Sequence, residues 1–361
     1  MPSVTSAISA ATPSSTTAKS LADSLPLALA LGDPAGIGPE VAAKAWVARE
    51  TMQLPCFFVV GDLRSIEAVW RGPVTRITDP SHAAHVFPTA LPVIQVEDAG
   101  PIEPGNPNLE GARCALDSLE MALGLTREGT ASALITGPVS KAQLQMIGFT
   151  HMGQTEFVAE RCGMARDNIV MMLAGPSLKV VPITTHVSLS EVPSLLTVDL
   201  ILAKSRATAR GLERNFGISN PVLAFAGFNP HAGESGMLGR EEIDILEPTI
   251  AILQEEGISC IGPMAADAMF HKRARERYDV AMCTYHDQAL IPLKTLHFDD
   301  GVNTTLGLPI IRTSPDHGTA FDIAGQGKAE PGATIAAIRM AAQCADHRAQ
   351  MLARCSQPCP A

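Results

Sequence analysis

The sequence predicts an α/β protein built around a largely parallel sheet, and three observations support this prediction. Short apolar runs of strand length alternate with segments of helical periodicity along most of the chain. Hydrophobic residues make up 46% of the 361 residues and aromatic residues only 4%, so the core must be mainly aliphatic. A chain of this length is also more typical of two domains than of one.

Apolar runs bounded by turn residues predict strands at 25–31, 56–61, 131–137, 178–185, 221–227 and 278–285, with 304–313 as a further candidate. Helical periodicity predicts helices at 39–50, 110–126, 140–148, 155–163, 191–214, 240–256 and 332–353. The proline-rich stretch 80–108 is predicted to be irregular or to form an edge strand, because proline lacks a backbone donor.

The two ends of the chain have compositions that do not predict packed structure. Residues 1–24 are rich in Ser, Thr and Ala, with one Lys, no Arg and no long apolar run. This composition favours a disordered leader over a secretory signal or a transit peptide. The last residues, 351–361, are predicted to form a loose tail.

Charge and cysteine content narrow the class of function. The formal net charge of −10 and the absence of a basic run argue against general binding to nucleic acid or to anionic membranes. No apolar run reaches the length of a membrane span. The eight cysteines are scattered and form no C-x-x-C pair, which predicts reduced thiols and a cytoplasmic location.

Three of the ten histidines, His186, His231 and His286, each follow a predicted strand. Because the carboxyl ends of parallel strands meet at one edge of a sheet, we expect these side chains to converge. Three neutral imidazoles would leave an open position on a divalent metal ion, as catalysis requires. Taken singly, each histidine is equally well explained as a turn residue. Asp287 suits either a hydrogen bond to a ligand imidazole or the N-cap of the next helix.

Three loops could also contribute to a site. The turn "GDPAGIGPE" (32–40) lacks both the G-x-G-x-x-G and the Gly-Lys-Ser/Thr patterns, so an ordinary strand-to-helix turn remains an alternative to a nucleotide loop. The long polar loop 227–242 lies after a predicted strand, where loops are often functional. Lys294, Asn303 and Arg312 would suit a phosphate or a carboxylate, or would simply be solvated.

Several motifs, in this order, resemble the PdxA family of vitamin B6 biosynthesis over roughly residues 25–345. They are "GDPAGIGPE", "ALITGPVSK", "GQTEF", "NPHAGE", "YHDQ", "GVNTTLGLPIIRTSPDHGTA" and "DIAGQGKA". The segment "DHGTAFDIAGQGKAEP" is also similar to the nicotinamide-cofactor region of isocitrate and isopropylmalate dehydrogenases. The resemblance implies their fold, with two α/β/α three-layer domains and an interdomain cleft. Residues 25–150 plus 305–350 would form the cofactor-side domain, and 151–304 the metal- and dimer-side domain.

The resemblance also implies a set of site residues in a homodimer whose active site lies at the subunit interface. The metal ligands would be His186, His231 and His286, with one supplied across the interface. The substrate ligands would be Gln154, Thr155, Lys294, Asn303 and Arg312. The cofactor would lie along His317, Gly318, Thr319 and Asp322, and Lys294 and Asp267 are the catalytic candidates. Better-known members of the family carry His at the position of Gln154, and glutamine cannot titrate.

The implied reaction is oxidation of 4-phosphohydroxy-L-threonine at its secondary alcohol, followed by decarboxylation to 3-amino-2-oxopropyl phosphate and CO2. NAD or NADP would accept the hydride, and one divalent ion per subunit, zinc or otherwise magnesium, manganese or cobalt, would be needed. Sibling enzymes that act on a four-carbon sugar-acid phosphate or on a cyclic diol dicarboxylate are alternatives. A non-catalytic metal-binding protein and a phosphate-binding acyltransferase are alternatives from other classes.

Overall fold

A computed structural model describes residues 25–96, 100–165 and 168–355, and twelve strands in these ranges form one sheet. The strands are β1 (Leu27–Ala30), β2 (Phe57–Gly61), β3 (Val74–Ile77), β4 (Leu91–Gln95), β5 (Leu134–Thr136), β6 (Val170–Gly175), β7 (Leu178–Pro182), β8 (Leu223–Ala226), β9 (Cys260–Met264), β10 (Val280–Cys283), β11 (Val302–Leu306) and β12 (Arg312–Pro315). Their order across the sheet is β3-β4-β2-β1-β5-β12-β11-β6-β7-β10-β8-β9.

Thirteen α-helices connect the strands within the described ranges. They are α1 (Gly38–Val47), α2 (Leu63–Val69), α3 (Ala83–Val86), α4 (Leu109–Arg127), α5 (Lys141–Met146), α6 (Gln154–Arg161), α7 (Val192–Leu195), α8 (Val198–Phe216), α9 (Glu247–Glu255), α10 (Ala266–Met269), α11 (Lys272–Arg275), α12 (His286–Leu296) and α13 (Gly332–Cys355). Short 3₁₀ segments span Pro80–His82 and Pro230–Gly236, and a π-helical turn spans Glu242–Leu246.

Both faces of the sheet are covered by helices, as the fold class predicted. Successive residues of a strand point to opposite faces, and in β2 they enter different cores. Phe57 packs in the cluster that contains Ile338 of α13, whereas Phe58 packs in the cluster that contains Leu123 of α4. Parallel strands that are buried on both faces are expected to read as continuous apolar runs, which is the signal in the sequence.

The sheet has two halves that meet at its centre. The strands from β3 to β12 in the sheet order come from residues 27–136 and 312–315, and those from β11 to β9 come from 170–306. The halves are joined by the antiparallel pair of β11 and β12. The division into two domains, 25–150 plus 305–350 and 151–304, stays a prediction; its boundary at 304/305 falls inside β11.

Some element predictions were wrong in detail. The run 304–313 is not one strand but the end of β11, a turn and the start of β12. The chain reverses at Gly307, whose φ of 87° favours glycine and where a Cβ would lie 2.1 Å from the carbonyl oxygen of Asn168. The predicted helix 191–214 is divided into α7 and α8, because the hydroxyl of Thr197 caps the start of α8 at Leu200 N.

The proline-rich stretch 80–108 contains an internal strand, contrary to prediction. Strand β4 pairs with both β3 and β2, and β3 forms the edge. Pro92 stands near the start of β4, where the missing donor disturbs the ladder least. The stretch read as a loose tail also begins in regular structure, since α13 continues to Cys355; residues 356–361 and the leader 1–24 lie outside the described ranges.

Two expectations about the whole chain can be compared with the described ranges. Six cysteines have described side chains, and all six are free thiols. None of the helices in these ranges combines the length and the apolar character needed to span a membrane.

Helix α1 anchors the segment that was predicted to bind the cofactor. The buried carboxylate of Glu40 accepts hydrogen bonds from Ala329 N at 2.9 Å and Gly327 N at 3.3 Å. Lys44 lies 2.9 Å from the same carboxylate and donates to the carbonyl oxygens of Gly327 and Ala329 at 2.8 and 2.6 Å. The end of the motif "GDPAGIGPE" therefore fixes the position of a distant loop.

Replacing Glu40 by alanine is expected to lower the free energy of unfolding by about 2–3 kcal/mol, because two backbone donors and the Lys44 ammonium lose a buried partner. Thermal unfolding of the purified protein measures the effect. The matched control is Glu330→Ala at an exposed position of the same segment, which is expected to change stability by less than about 0.5 kcal/mol. Equal losses in the two variants would show that the buried contacts have no special role.

Candidate active site

A cavity of about 340 Å³ is lined by residues from both halves of the sheet. Its wall includes strand residues of β6, β11 and β12, the start of α6 and the start of α12. Seven residues predicted from the sequence as metal, substrate or cofactor ligands line it, namely Gln154, Thr155, His186, His286, Asn303, Arg312 and His317. Residues more than 150 positions apart in the sequence thus meet around one space.

Arg312 is a buried cation in the wall of this cavity, with only 4% of its surface exposed. Its guanidinium donates to the hydroxyl of Thr136 at 2.8 Å, of Thr305 at 3.2 Å and of Thr155 at 3.3 Å. All three partners are neutral, and no salt bridge to Arg312 occurs in the described ranges. Burial lowers the pKa of Arg312 to about 10, which leaves the side chain charged at neutral pH. The Glu156 carboxylate, which also lines the cavity, acts in the opposite direction on the pKa of Arg312 but forms no ion pair with it. A buried charge that is only partly compensated favours an anionic ligand.

Gln154 and Asn303 present acceptors to the same cavity. The amide nitrogen of Gln154 donates to the carbonyl oxygen of Gly137 at 3.0 Å, which identifies Oε1 as the other atom of the amide. Gln154 Oε1 and Asn303 Oδ1 are both buried and have no hydrogen-bond partner in the described part of the chain. Glutamine therefore occupies the predicted substrate position as an acceptor.

The strands that precede the three histidines are neighbours, as predicted. Strand β10 pairs in parallel with β7 on one side and with β8 on the other, so their carboxyl ends share one edge of the sheet. The rings of His186 and His286 lie 5.6 Å apart, measured between centroids. Asp287 Oδ1 lies 2.7 Å from Nδ1 of His286, so a proton on Nδ1 leaves Nε2 as the free ligand atom. Of the two predicted roles of Asp287, the helix N-cap is wrong, because Tyr285 occupies that position.

His231 does not join the other two histidines within the chain. Its side chain is 67% exposed, its Nδ1 lies 3.1 Å from Glu234, and it is absent from the residues that line the cavity. Within the described ranges, no three side chains among His, Cys, Asp and Glu are placed to hold a metal ion. One chain thus brings together two of the three predicted ligands.

The backbone at two of these histidines is left-handed. His186 has φ of 48° and His231 has φ of 52°, a region that non-glycine residues seldom occupy. Such strain persists where the surrounding structure fixes it, and it occurs mainly at functional sites. The sequence carried no signal for it, because neither position is a glycine or an asparagine.

The two catalytic candidates lie outside the main cavity. Lys294 Nζ forms an ion pair with Asp316 at 2.9 Å, and Lys294 lines a shallower depression with His286 and Asp287. Because Asp316 does line the main cavity, the ammonium lies at its border. Asp267 is exposed in α10 and does not line the main cavity, so the geometry gives no support to a catalytic role for this residue.

The segment predicted to bind the cofactor follows β12 and rests on the turn 32–40. The amide of Ile37 donates to the carbonyl oxygen of Thr319 at 2.9 Å, and a Cβ at Gly36 would lie 2.9 Å from that oxygen. Gly318 has open space at the position of a side chain. Asp322 has an exposed side chain, and its carbonyl oxygen accepts a bond from Gln326 at 2.6 Å. The turn 32–40, considered from the sequence as a nucleotide loop, therefore supports this segment.

Sequence reasoning gave no role to Thr305 and Asp316, although both help to form the site. Thr305 holds the guanidinium of Arg312, and Asp316 pairs with Lys294. The signal for Thr305 was available, because it stands two residues after Asn303 in a strand and so points to the same face. Asp316 carried no comparable signal, since its partner is on another element.

Comparison with known proteins gives consistent matches. The family model described as "Pyridoxal phosphate biosynthetic protein PdxA" matches residues 53–341. The 4-hydroxythreonine-4-phosphate dehydrogenase of Zymomonas mobilis is 56% identical over 323 residues, which cover 90% of this chain and 96% of that protein.

Two solved structures extend the comparison. The crystal structure of 4-hydroxythreonine-4-phosphate dehydrogenase from Klebsiella pneumoniae superposes with a TM-score of 0.81 at 35% identity, covering 90% of this chain and 98% of that chain. The terephthalate 1,2-cis-dihydrodioldehydrogenase from Burkholderia xenovorans gives a TM-score of 0.63 at 30% identity, covering 89% and 98%. The agreement extends over nearly the whole length of each protein.

Proposed function

Because the chain belongs to the PdxA family of pyridoxal phosphate biosynthetic proteins, we propose that it oxidises 4-phosphohydroxy-L-threonine at the secondary alcohol with NAD or NADP. Loss of CO2 from the resulting β-keto acid would give 3-amino-2-oxopropyl phosphate. The family match confirms the resemblance inferred from the sequence motifs, and the enzyme is an NAD(P)-dependent oxidoreductase of this class.

The observation that best supports this substrate is the buried charge of Arg312. Its guanidinium lies in the cavity wall, and its hydrogen bonds in the described part of the chain go to threonine hydroxyls. A phosphate group would supply the missing negative charge and could accept two parallel N–H bonds from the guanidinium. Thr155, at the start of α6, would contribute its hydroxyl and the amides of the helix N-terminus.

We propose that His186 and His286 are two ligands of a divalent ion. The 5.6 Å between their rings and the contact of His286 Nδ1 with Asp287 fit two imidazoles that share an ion. Such an ion supplies Lewis acidity at the alcohol that is oxidised. Zinc suits imidazole ligands, and magnesium, manganese or cobalt would serve the same role. Asp287 keeps the proton on Nδ1 and so orients the ring of His286.

The third ligand, His231, would come from a second copy of the chain. In its own chain it is exposed and separate from His186 and His286. Large apolar side chains are exposed near each of the three histidines, namely Val187, Leu189, Met237, Leu238 and Ile291. Clustered exposed apolar residues are typical of protein interfaces. These observations support a homodimer with the active site at the subunit interface.

The cofactor is proposed to lie along residues 317–322, where Gly318 leaves room for close approach of a phosphate-bearing ligand. Lys294, held at the border of the cavity by Asp316, would offset the negative charge of the substrate. We keep Lys294 as the proposed catalytic group of the two candidates. A cytoplasmic location is consistent with the free thiols in the described ranges.

Comparative assays test the proposed substrate. The purified protein, supplied with a divalent ion, is expected to reduce NAD⁺ or NADP⁺ and release CO2 in equal amounts with 4-phosphohydroxy-L-threonine. Threonate 4-phosphate and erythronate 4-phosphate test the sugar-acid alternative, and a cis-dihydrodiol of terephthalate tests the diol alternative. Faster turnover of any of these would refute the proposal. Metal binding without NAD(P) reduction on any substrate would instead support a non-catalytic metal-binding protein.

A further inference from the structure

The cavity wall contains buried polar atoms that lack a partner in the described ranges. The acceptors among them are Gln154 Oε1, Asn303 Oδ1 and His317 Nε2, and the one donor is Arg312 Nε. Unpaired buried polar atoms are uncommon in folded proteins, and they frequently mark places where a ligand or water completes the hydrogen bonding. An anion would satisfy Arg312 but none of the three acceptors, since phosphate and carboxylate oxygens are acceptors themselves.

The protonation of His317 follows from its neighbour. Nδ1 lies 3.1 Å from the carbonyl oxygen of Gly318, which can only accept, so Nδ1 carries the hydrogen. In the neutral imidazole Nε2 is then a pure acceptor. The same reasoning fixes Gln154 Oε1, because the amide nitrogen donates to Gly137 O. Two acceptors of the wall, from α6 and from the segment after β12, therefore require a donor.

We propose that the imidazole of His317 accepts a hydrogen bond from the ammonium group of the bound substrate and so determines specificity for an amino-bearing molecule. This inference rests on the proposed function above. Among the groups of the substrate, the ammonium is the donor that remains available, because the alcohol oxygen is the group that the divalent ion would hold. The role belongs to the side chain, whereas the backbone of His317 belongs to the proposed cofactor segment.

The residues on both sides of His317 make contacts with other segments of the chain. Asp316 is paired with Lys294 at 2.9 Å, and the carbonyl oxygen of Thr319 accepts from Ile37 N at 2.9 Å. The imidazole is therefore presented from a supported segment, and a change of its side chain need not displace the backbone. This makes substitution of His317 an informative test.

Two variants separate the acceptor from the rest of the side chain. In His317→Asn the amide nitrogen can still donate to Gly318 O, but no atom reaches the position of Nε2. In His317→Gln the longer side chain returns an acceptor to that position. Calorimetric titration of the metal-loaded dimer with 4-phosphohydroxy-L-threonine, without NAD(P), measures substrate affinity apart from turnover. Thermal unfolding identifies any variant that does not fold.

His317→Asn is expected to bind the substrate roughly 10- to 100-fold more weakly, the effect of losing one hydrogen bond to a charged group, and His317→Gln is expected to recover most of the affinity. In both variants the affinity for NAD⁺ and NADP⁺ is expected to stay within about twofold of wild type. The inhibition constant of sulfate, a competitive inhibitor that offers no donor, is expected to stay within the same range. Three results would overturn the proposal. They are a loss of cofactor affinity in place of substrate affinity, an equal loss of substrate affinity in both variants, and unchanged substrate affinity in His317→Asn.

A change in the ligand provides a test that does not depend on a variant folding. The analogue carries hydrogen in place of the amino group of the substrate. The wild-type dimer is expected to bind this analogue roughly 10- to 100-fold more weakly than the substrate. In His317→Asn the difference in affinity between substrate and analogue is expected to be mostly lost. Wild-type binding of the analogue as tightly as the substrate would refute the role of His317. Inactivity of the wild-type enzyme on the substrate would instead refute the proposed function.

Discussion

Replacing Arg312 by methionine is expected to lower kcat/KM for the phosphorylated substrate by roughly two to three orders of magnitude. The side chain is buried in the cavity wall and forms no ion pair in the described ranges, so a phosphate there would be a direct counterion. Steady-state kinetics with saturating NAD(P)⁺ and metal would measure the loss. Metal content is expected to be unchanged, because Arg312 is not among the proposed metal ligands.

The same substitution is expected to leave the stability of the ligand-free protein unchanged or higher. Removing Arg312 gives up hydrogen bonds to three threonine hydroxyls, but it also removes a buried cation that has no ion pair and an unpaired Nε in the described ranges. An apolar side chain of similar length avoids the cost of that burial. Thermal unfolding with and without inorganic phosphate measures the stability of the phosphate-bound and the ligand-free protein. Wild type is expected to be stabilised by phosphate, and Arg312→Met is expected to show no such stabilisation.

Arg348 provides the control, since it is a half-buried arginine whose pKa is likewise lowered by burial to about 10. Its donors are satisfied by Asn215 Oδ1 at 2.8 Å and by the carbonyl oxygens of Pro309 at 2.7 Å and Ile310 at 3.0 Å. Arg348→Met is expected to destabilise the protein by about 2–4 kcal/mol and to leave substrate affinity unchanged. If Arg312→Met behaved like this control, Arg312 would be a structural residue and not a phosphate ligand.

Replacing His231 or His286 by alanine is expected to reduce turnover by at least about two orders of magnitude. The metal content is expected to fall below the roughly one ion per subunit of the wild type. The reason is that each variant removes one imidazole from a three-histidine site. Elemental analysis and NAD(P) reduction are measured on the same preparation. A fully active His231→Ala variant would exclude His231 as a ligand.

Mixed dimers test whether His231 acts across the interface. When His231→Ala and His286→Ala subunits are unfolded together and refolded, half of the dimers are expected to be hybrids. Each hybrid has one site with all three histidines and one site lacking two. Activity is therefore expected to return to about a quarter of wild type, whereas ligands from a single chain would give no recovery.

A second pair of variants is the control for this experiment. His186 and His286 lie 5.6 Å apart in the same chain, so a mixture of His186→Ala and His286→Ala is expected to remain inactive. Each site in every dimer then lacks one of the two imidazoles. Recovery of activity in this mixture would show that these two histidines act from different subunits and would overturn the assignment.

The sequence predicted the site better where the signal was local. Apolar runs identified β7, β8 and β10, and each run was followed by a histidine or by a short turn that contains one. The rule that parallel strands end at one edge then predicted the proximity of His186 and His286, and the structure confirms it. For His231 the same rule gave the edge but not the direction of the side chain, which depends on a left-handed turn at residues 231–235.

The sequence by itself determined the class of fold, the family and seven of the residues that line the cavity, because those depend on periodicity and on ordered motifs. Only the tertiary structure decided how they are paired. It showed that, within the described ranges, Arg312 forms no ion pair, Lys294 is held by Asp316, and His317 has an acceptor without a hydrogen-bond partner. Charge balance and hydrogen bonding depend on atoms from distant segments, so no local pattern in the chain could specify them.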